Sequence, residues 1–231
     1  MDGVPYPMWI AYLELLWTKL DLKPQTVLEV CCGTGTLCTR LAEKGFQMAG
    51  IDLSPEMIEI AKRKADEQDL DINFSCQNAA KFKLPWKFDA AFSFFDSLNY
   101  LANPEDCRLA IAQTAKHLKP GGPFIFDLNT AYAFEQKMFD QSEGRKTKKV
   151  RYNWVSRYEP ATRVCTVEMD FWTDQGAFHE VHVQRAHSPE EVGDWMRDAG
   201  FERTTIYNAY TLDRPNGKSD RIHVVGVLGA S

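Results

Sequence analysis

Nine consecutive residues, Val27-Leu28-Glu29-Val30-Cys31-Cys32-Gly33-Thr34-Gly35, constrain this chain more than any other stretch. A short apolar run bounded by Pro24 and two glycines has the length and flanks of a buried strand, and the glycine turn hands it to a helical pattern over 37–44. Such a turn leaves backbone N–H groups pointing outward, where a ligand can approach closely. The pattern then repeats. Residues 46–51, 72–76, 88–95 and 124–128 read as strands. Ser54-Pro55-Glu56 opens a helix to about residue 68, with Ser as N-cap and Pro at the first helical position, and 104–118 is a helix closed by Lys119-Pro120-Gly121-Gly122. Parallel neighbours need a crossover connection, so this alternation predicts an α/β fold, doubly wound and mostly parallel, with helices on both faces.

The flanks of this pattern differ. Trp9, Leu13, Leu16 and Leu20 recur at helical spacing after Pro7, and the helix should stop before Pro24. After Asn129 the alternation breaks into strand-like runs at 150–157, 164–172 and 178–187, joined by short turns, which suits an antiparallel β meander. Ser188-Pro189-Glu190-Glu191 starts a further helix ended by Gly200, and 201–210 and 221–228 supply two last strands. The expected division is a core of 1–128 plus 188–231, with 129–187 inserted as a sheet over the substrate site.

With 231 residues, 44% hydrophobic and 26% charged, the chain can bury a sizeable core and is not disordered as a whole. A formal charge of -5 gives no general attraction to nucleic acid or anionic lipid. No apolar run approaches membrane-helix length and no secretory signal opens the chain, so a cytoplasmic location without membrane attachment is expected. Cys31, Cys32, Cys38, Cys76, Cys107 and Cys165 contain no C-x-x-C pair and no paired His spacing, so no metal site is expected and the thiols read as reduced and mostly buried.

Asp52 ends the second strand seventeen residues after Gly35, where a carboxylate can accept both hydroxyls of a ribose. A dinucleotide site would share that geometry, but in G-x-G-x-x-G phasing from Gly33 the third glycine position is Cys38. Three further segments are expected at the carboxyl ends of later strands, the edge where ligands bind: Gln77-Asn78-Ala79 after the third strand, Phe95-Asp96-Ser97-Leu98-Asn99-Tyr100 after the fourth, and Leu118-Lys119-Pro120-Gly121-Gly122 before the fifth. Together with the glycine turn and Asp52, they resemble the class I S-adenosylmethionine-dependent methyltransferases, from about Val27 to the C-terminus. Asp96-Ser97-Leu98-Asn99-Tyr100 and Glu180-x-His182-x-x-Arg185 are similar to a bacterial branch with a small sheet over the site, related to sugar and small-amine N-methyltransferases.

The resemblance implies a Rossmann-like sheet of seven strands with the last antiparallel, and the cofactor S-adenosylmethionine, released as S-adenosylhomocysteine. By it, Glu29, Gly33 and Gly35 frame the amino acid part of the cofactor, Asp52 its ribose, Leu53 and Met57 the adenine surroundings, and Asn78 and Ala79 the adenine edge. Phe95 and Asp96 pass near the methionine moiety. Met57 fits equally as a core residue at helical spacing. The family usually has Gly at Cys31 and Asp at Asn78, and an amide can still serve an adenine edge. The branch commonly carries a further stretch ahead of 2–20, including a tyrosine-containing lid, so either the start is misassigned or Tyr6 and Trp9 close the pocket alone.

Methyl transfer asks the protein mainly to align a nucleophile and exclude water. An amine needs its lone pair free and a carboxylate near the developing charge, for which Asp96 is the candidate; the alternative is a turn residue leaving the fourth strand. Strand alternation puts Glu180, His182 and Gln184 on one face and Val181 and Val183 on the other. If that sheet folds over the cleft, His182 acts as general base assisted by Glu180; otherwise the face is simply solvated. His117, ending a helix, reads as surface. The basic run Arg145, Lys146, Lys148, Lys149 and Arg151 reads as a solvated loop or a phosphate contact. The expected activity is methylation of a small-molecule acceptor, nitrogen before oxygen. The alternatives are RNA or protein methylation, or cofactor binding without turnover.

Overall fold

Strands and helices alternate through the first half of the chain in the order that its apolar runs dictate. The computed structural model describes residues 4–145 and 149–230; Lys146 and Lys148 of the basic run lie outside the described residues. Up to the break in the pattern the elements are α1 (Tyr6–Lys19), β1 (Thr26–Val30), α2 (Thr36–Glu43), β2 (Gln47–Asp52), α3 (Pro55–Asp66), β3 (Asn73–Cys76), β4 (Ala90–Ser93), a 3-10 turn (Ser97–Tyr100), α4 (Pro104–Lys116) and β5 (Pro123–Asn129). Then follow α5 (Ala131–Glu135), β6 (Gln141–Glu143), β7 (Arg151–Glu159), β8 (Val164–Thr173), β9 (Gly176–Arg185), α6 (Pro189–Asp198), β10 (Phe201–Asn208) and β11 (Arg221–Leu228).

The main sheet has the order β10-β11-β5-β4-β1-β2-β3. β1 pairs in parallel with β2 (Val27 opposite Met48) and with β4 (Val27 opposite Ala90), while β11 runs antiparallel to both β5 and β10. The seven-stranded, mostly parallel sheet with its last strand reversed is therefore the class I methyltransferase architecture. β4 and β5 are buried along their whole length, as strands covered on both faces must be. On one face Leu13 and Leu16 of α1, Leu41 of α2 and Ile58 of α3 pack together; on the other, Ile111 of α4 and Val192 and Met196 of α6 close the core. The helix starts follow capping chemistry. Ser54 accepts from the Met57 N–H, and Ser188 and Glu191 form a reciprocal capping box at α6.

The second sheet, β6-β7-β8-β9, is antiparallel throughout and lies between β5 and α6 in the chain. It is four-stranded rather than three-stranded. β6 has the residues Gln-Ser-Glu and α5 five residues, both too short to leave a periodic signal. Its inner face packs Val167 and Met169 against Phe134, Cys165 and Ala186. Val181 and Val183 are exposed, so the polar alternate face of β9, not the valine face, turns inward.

Two other expectations are corrected. His117 is buried, stacked 4.4 Å from the Phe82 ring; its Nε2 accepts from the Leu84 N–H, which leaves Nδ1–H to donate to the Gln113 carbonyl. Leu118 pairs with Phe88 ahead of β5, so the 118–122 segment meets the amino end of that strand, on the opposite edge from the ends of β1 and β4. The cysteines are unpaired; Cys32, Cys38, Cys107 and Cys165 are buried, Cys31 is half-buried and Cys76 is exposed. Among the described residues no helix is long and apolar enough to cross a membrane.

Candidate functional site

Chain order reverses between β1 and β4: the chain leaves β1 for β2 and β3 on one side, then returns to β4 on the other. In open α/β sheets this switch opens a crevice at the carboxyl ends of the strands. Here the turn after β1 supplies one wall. Cys31, Gly33 and Gly35 all have positive φ, +60°, +53° and +68°. A Cβ on Gly35 would stand 2.6 Å from the Phe74 ring, so only glycine lets α2 sit this close to the sheet, whereas Gly33 faces open space. Cys31 takes a left-handed conformation that glycine adopts without steric penalty.

Asp52, at the end of β2, fastens that turn. Its Oδ2 accepts the Gly33 N–H at 2.8 Å and its Oδ1 accepts the Ser54 N–H at 3.0 Å. Glu29 lies beneath, 4% exposed, accepting from the Cys38 N–H at 3.1 Å and from the Cys38 thiol at 2.9 Å. Burial pushes its carboxyl up to about 8 against those two hydrogen bonds. Burial likewise pushes the Cys31 thiol up to about 12, so the thiol at this turn is protonated at neutral pH.

Tyr6, Trp9, Glu29, Gly33, Met57 and Phe95 line the crevice. Trp9 of α1 meets the Phe95 ring at 5.2 Å and Tyr6 at 5.4 Å, closing one side. Met57 and Phe95, which line it, are 41% and 48% exposed, and Leu53, next to Asp52 in the chain, is 67% exposed. Met57 is thus on the rim rather than in the core. Asn78 turns its Oδ1 back to the Ala80 N–H, and Ala79 is buried in the sheet's core, which leaves the main chain of this segment for an adenine edge. The crevice fits the group that the resemblance implies. It combines room beside Gly33, a carboxylate on the rim at Asp52 and an apolar face lacking cover.

A second cavity, of about 800 Å³, opens across Phe95 under the inserted sheet. Tyr100, Tyr152, Trp154 and Phe171 contribute rings, and Asp96, Glu180, His182, Gln184 and Arg221 the polar groups. The three candidate catalytic residues are therefore brought to one cavity from two sheets. The Tyr100 hydroxyl meets His182 Nδ1 at 2.8 Å, and His182 Nε2 meets Glu180 Oε2 at 3.0 Å. A carboxylate only accepts, so Nε2 carries the hydrogen and the neutral ring's Nδ1 accepts from Tyr100. Burial pushes the Tyr100 hydroxyl up to about 12.

Asp96 is held differently. Arg221 donates to its Oδ1 at 2.8 Å, the Gln184 amide donates to its Oδ2 at 2.6 Å, and Arg221 also bonds the fully buried Asp127. Phe95 and Asp96 both have positive φ, +69° and +48°, a strained pair for residues with side chains. Tyr100, Asp127 and Arg221 were missed as site residues. A charge inside the apolar run Phe124-Ile125-Phe126-Asp127-Leu128 was the signal for Asp127. The partner that explains it, Arg221, lies 94 residues away.

The methyltransferase domain family matches residues 27–122. The putative methyltransferase YqeM of Bacillus subtilis (strain 168) is 30% identical over 227 residues, covering 96% of this chain and 90% of that protein. The crystal structure of an S-adenosylmethionine-dependent methyltransferase from Clostridium acetobutylicum ATCC 824 superposes with a TM-score of 0.87 at 26% identity, covering 98% of this chain and 93% of that one. Over 102 residues, 44% of this chain and 41% of that protein, the chain is 32% identical to the dTDP-3-amino-3,4,6-trideoxy-alpha-D-glucopyranose N,N-dimethyltransferase of Streptomyces venezuelae.

Proposed function

Because the chain belongs to the S-adenosylmethionine-dependent methyltransferases, we propose that it methylates the nitrogen of a small-molecule acceptor held beneath the inserted sheet. The observation that carries this reading is the aromatic cavity of about 800 Å³ that shares Phe95 with the cofactor crevice, with Glu180 and His182 on its wall. The amino-sugar N,N-dimethyltransferase among the relatives supports nitrogen.

When bound, the cofactor supplies an electrophilic methyl on a sulfonium. Glu29, Gly33 and Gly35 hold its amino acid end, Asp52 its ribose, and Leu53, Met57 and the 78–79 backbone its adenine. Tyr6, Trp9 and Phe95 exclude water from the side where α1 closes. Asp96, locked by Arg221 and Gln184, fixes negative charge beside the reacting nitrogen. Glu180 orients His182, which takes the amine's proton through the Tyr100 hydroxyl. Alignment of this kind is worth about 7 to 11 kcal/mol in favourable cases.

Calorimetry with S-adenosylmethionine and S-adenosylhomocysteine tests the cofactor assignment, and a folded chain that binds neither overturns it. Labelled-methyl transfer to panels of amines, phenols, sugars and bulk tRNA tests the acceptor. Incorporation into amines is expected; incorporation into tRNA alone overturns the small-molecule reading. Loss of turnover in His182→Ala with cofactor affinity kept is the expected signature of the base.

A further inference from the structure

The polar wall of the acceptor cavity is biased in charge and in hydrogen-bond sense. Asp96 and Glu180 line it, Asp127 lies behind them, and among the described residues at this end the one guanidinium is Arg221, already bonded to Asp96 and Asp127. Asp96 and Asp127 share that one fixed cation, and Glu180, half-exposed on the wall, is bonded to His182 rather than to a lysine or arginine. Both ring nitrogens of His182 are already engaged, Nδ1 with the Tyr100 hydroxyl and Nε2 with Glu180. The other groups facing His182 are the ring of Tyr100 and, along the same strand face, Gln184.

An independent sign comes from Gln184, which is 2% exposed. Its Nε2 is spent on Asp96, and its Oε1 is buried with no hydrogen-bond partner among the described residues. An orphaned buried carbonyl costs roughly 1–3 kcal/mol, so a donor belongs there. Phe95, Tyr100, Tyr152, Trp154 and Phe171 contribute rings to the wall, beside the aliphatic Val150, Val167 and Met169. Rings accept flat apolar bodies on their faces, and they also attract cations.

We propose that this cavity selects an arylalkylamine, a flat aromatic body bearing a protonated amine, whose N–H groups meet Gln184 Oε1 and whose charge answers Glu180 and Asp96. The assignment rests on the methyltransferase reading above for its consequence, and on the cavity alone for its ligand. Among the described residues that line the cavity, Arg221 is the one cation, and it is already bonded to two carboxylates rather than open to a pyrophosphate. Before attack the ammonium must lose one proton. That N–H bond breaks as the proton passes to Tyr100 Oη, while the Tyr100 proton forms a bond with His182 Nδ1; the amine regains its lone pair and the imidazolium stays paired with Glu180.

The test is calorimetric binding to the full chain of 2-phenylethylamine, 3-phenylpropanoate and UDP-glucosamine, each with and without saturating S-adenosylhomocysteine. The amine is expected to bind with either state of the crevice, and about a hundredfold more tightly than the carboxylate of similar shape. Glu180→Gln should weaken the amine about tenfold while leaving S-adenosylhomocysteine affinity and Tm unchanged. Equal binding of amine and carboxylate, tighter binding of UDP-glucosamine, or no binding of the amine overturns the proposal. Failure of the methyltransferase reading registers separately, as loss of S-adenosylhomocysteine binding.

Discussion

Asp52 fastens the turn with both oxygens: each accepts a backbone N–H, from Gly33 and from Ser54, and each keeps a further lone pair. In the proposed cofactor site the carboxylate also takes the ribose, so Asp52→Ala should remove that contact together with the turn's fastening. Hydrogen bonds to a charged group contribute about 1.5–3 kcal/mol each, so cofactor affinity should fall by about ten- to hundredfold, measured by calorimetry, with a smaller loss in Tm. Unchanged affinity would remove the ribose assignment. Asp52 and the glycine turn were legible because their spacing is local. Asp96 was legible as a candidate carboxylate, but the partners that hold it, Arg221 and Gln184, lie 125 and 88 residues away and were not.

At the scale of elements, one buried side chain ties strand ends of both sheets together. Asn99, fully buried in the 3-10 turn after β4, donates to the carbonyls of Asn129 and Arg185 and accepts the Asn129 N–H. Those partners end β5 and β9, the strands that bracket the insertion, so this amide sets the angle at which β9 hangs over the site. Asn99→Ala leaves three buried backbone groups without partners, a loss of about 3 kcal/mol or more, readable by chemical denaturation. Turnover should drop further than cofactor affinity, because Tyr100 follows Asn99 directly and its bond to His182 spans the same junction. If the variant keeps wild-type stability, Asn99 does not hold the sheets together. The alternation of β9 was legible, yet which face turned inward was not. Hydrophobicity favoured Val181 and Val183, but the polar face won because it lines a cavity instead of packing against a core.

Over the whole molecule, three buried groups outside any ion pair of their own set opposing slopes on stability against pH. Burial, aided by Arg185, pushes His187 down to about 4, and burial, aided by Arg221, pushes His223 down to about 3. As pH falls below about 6.5 the unfolded chain protonates these rings and the native state does not, so stability is lost toward acid. Glu29 acts in reverse. With its carboxyl raised to about 8, the native state keeps a proton that the unfolded chain releases near 4.5, so stability falls as pH rises through that window. Between about 4.5 and 6.5 two rising contributions oppose one falling one. Above 6.5 only Glu29 continues, at about 1.4 kcal/mol per pH unit until about 8. Stability without cofactor should therefore peak near pH 6.5. Glu29→Gln, which keeps an acceptor for the Cys38 N–H but cannot ionise, should hold its stability flat from there to pH 8, gaining about 2 kcal/mol on the wild type across that interval. Urea denaturation in half-unit steps from pH 4 to 9 measures both curves, and parallel profiles would mean that Glu29 is ionised in the folded protein throughout.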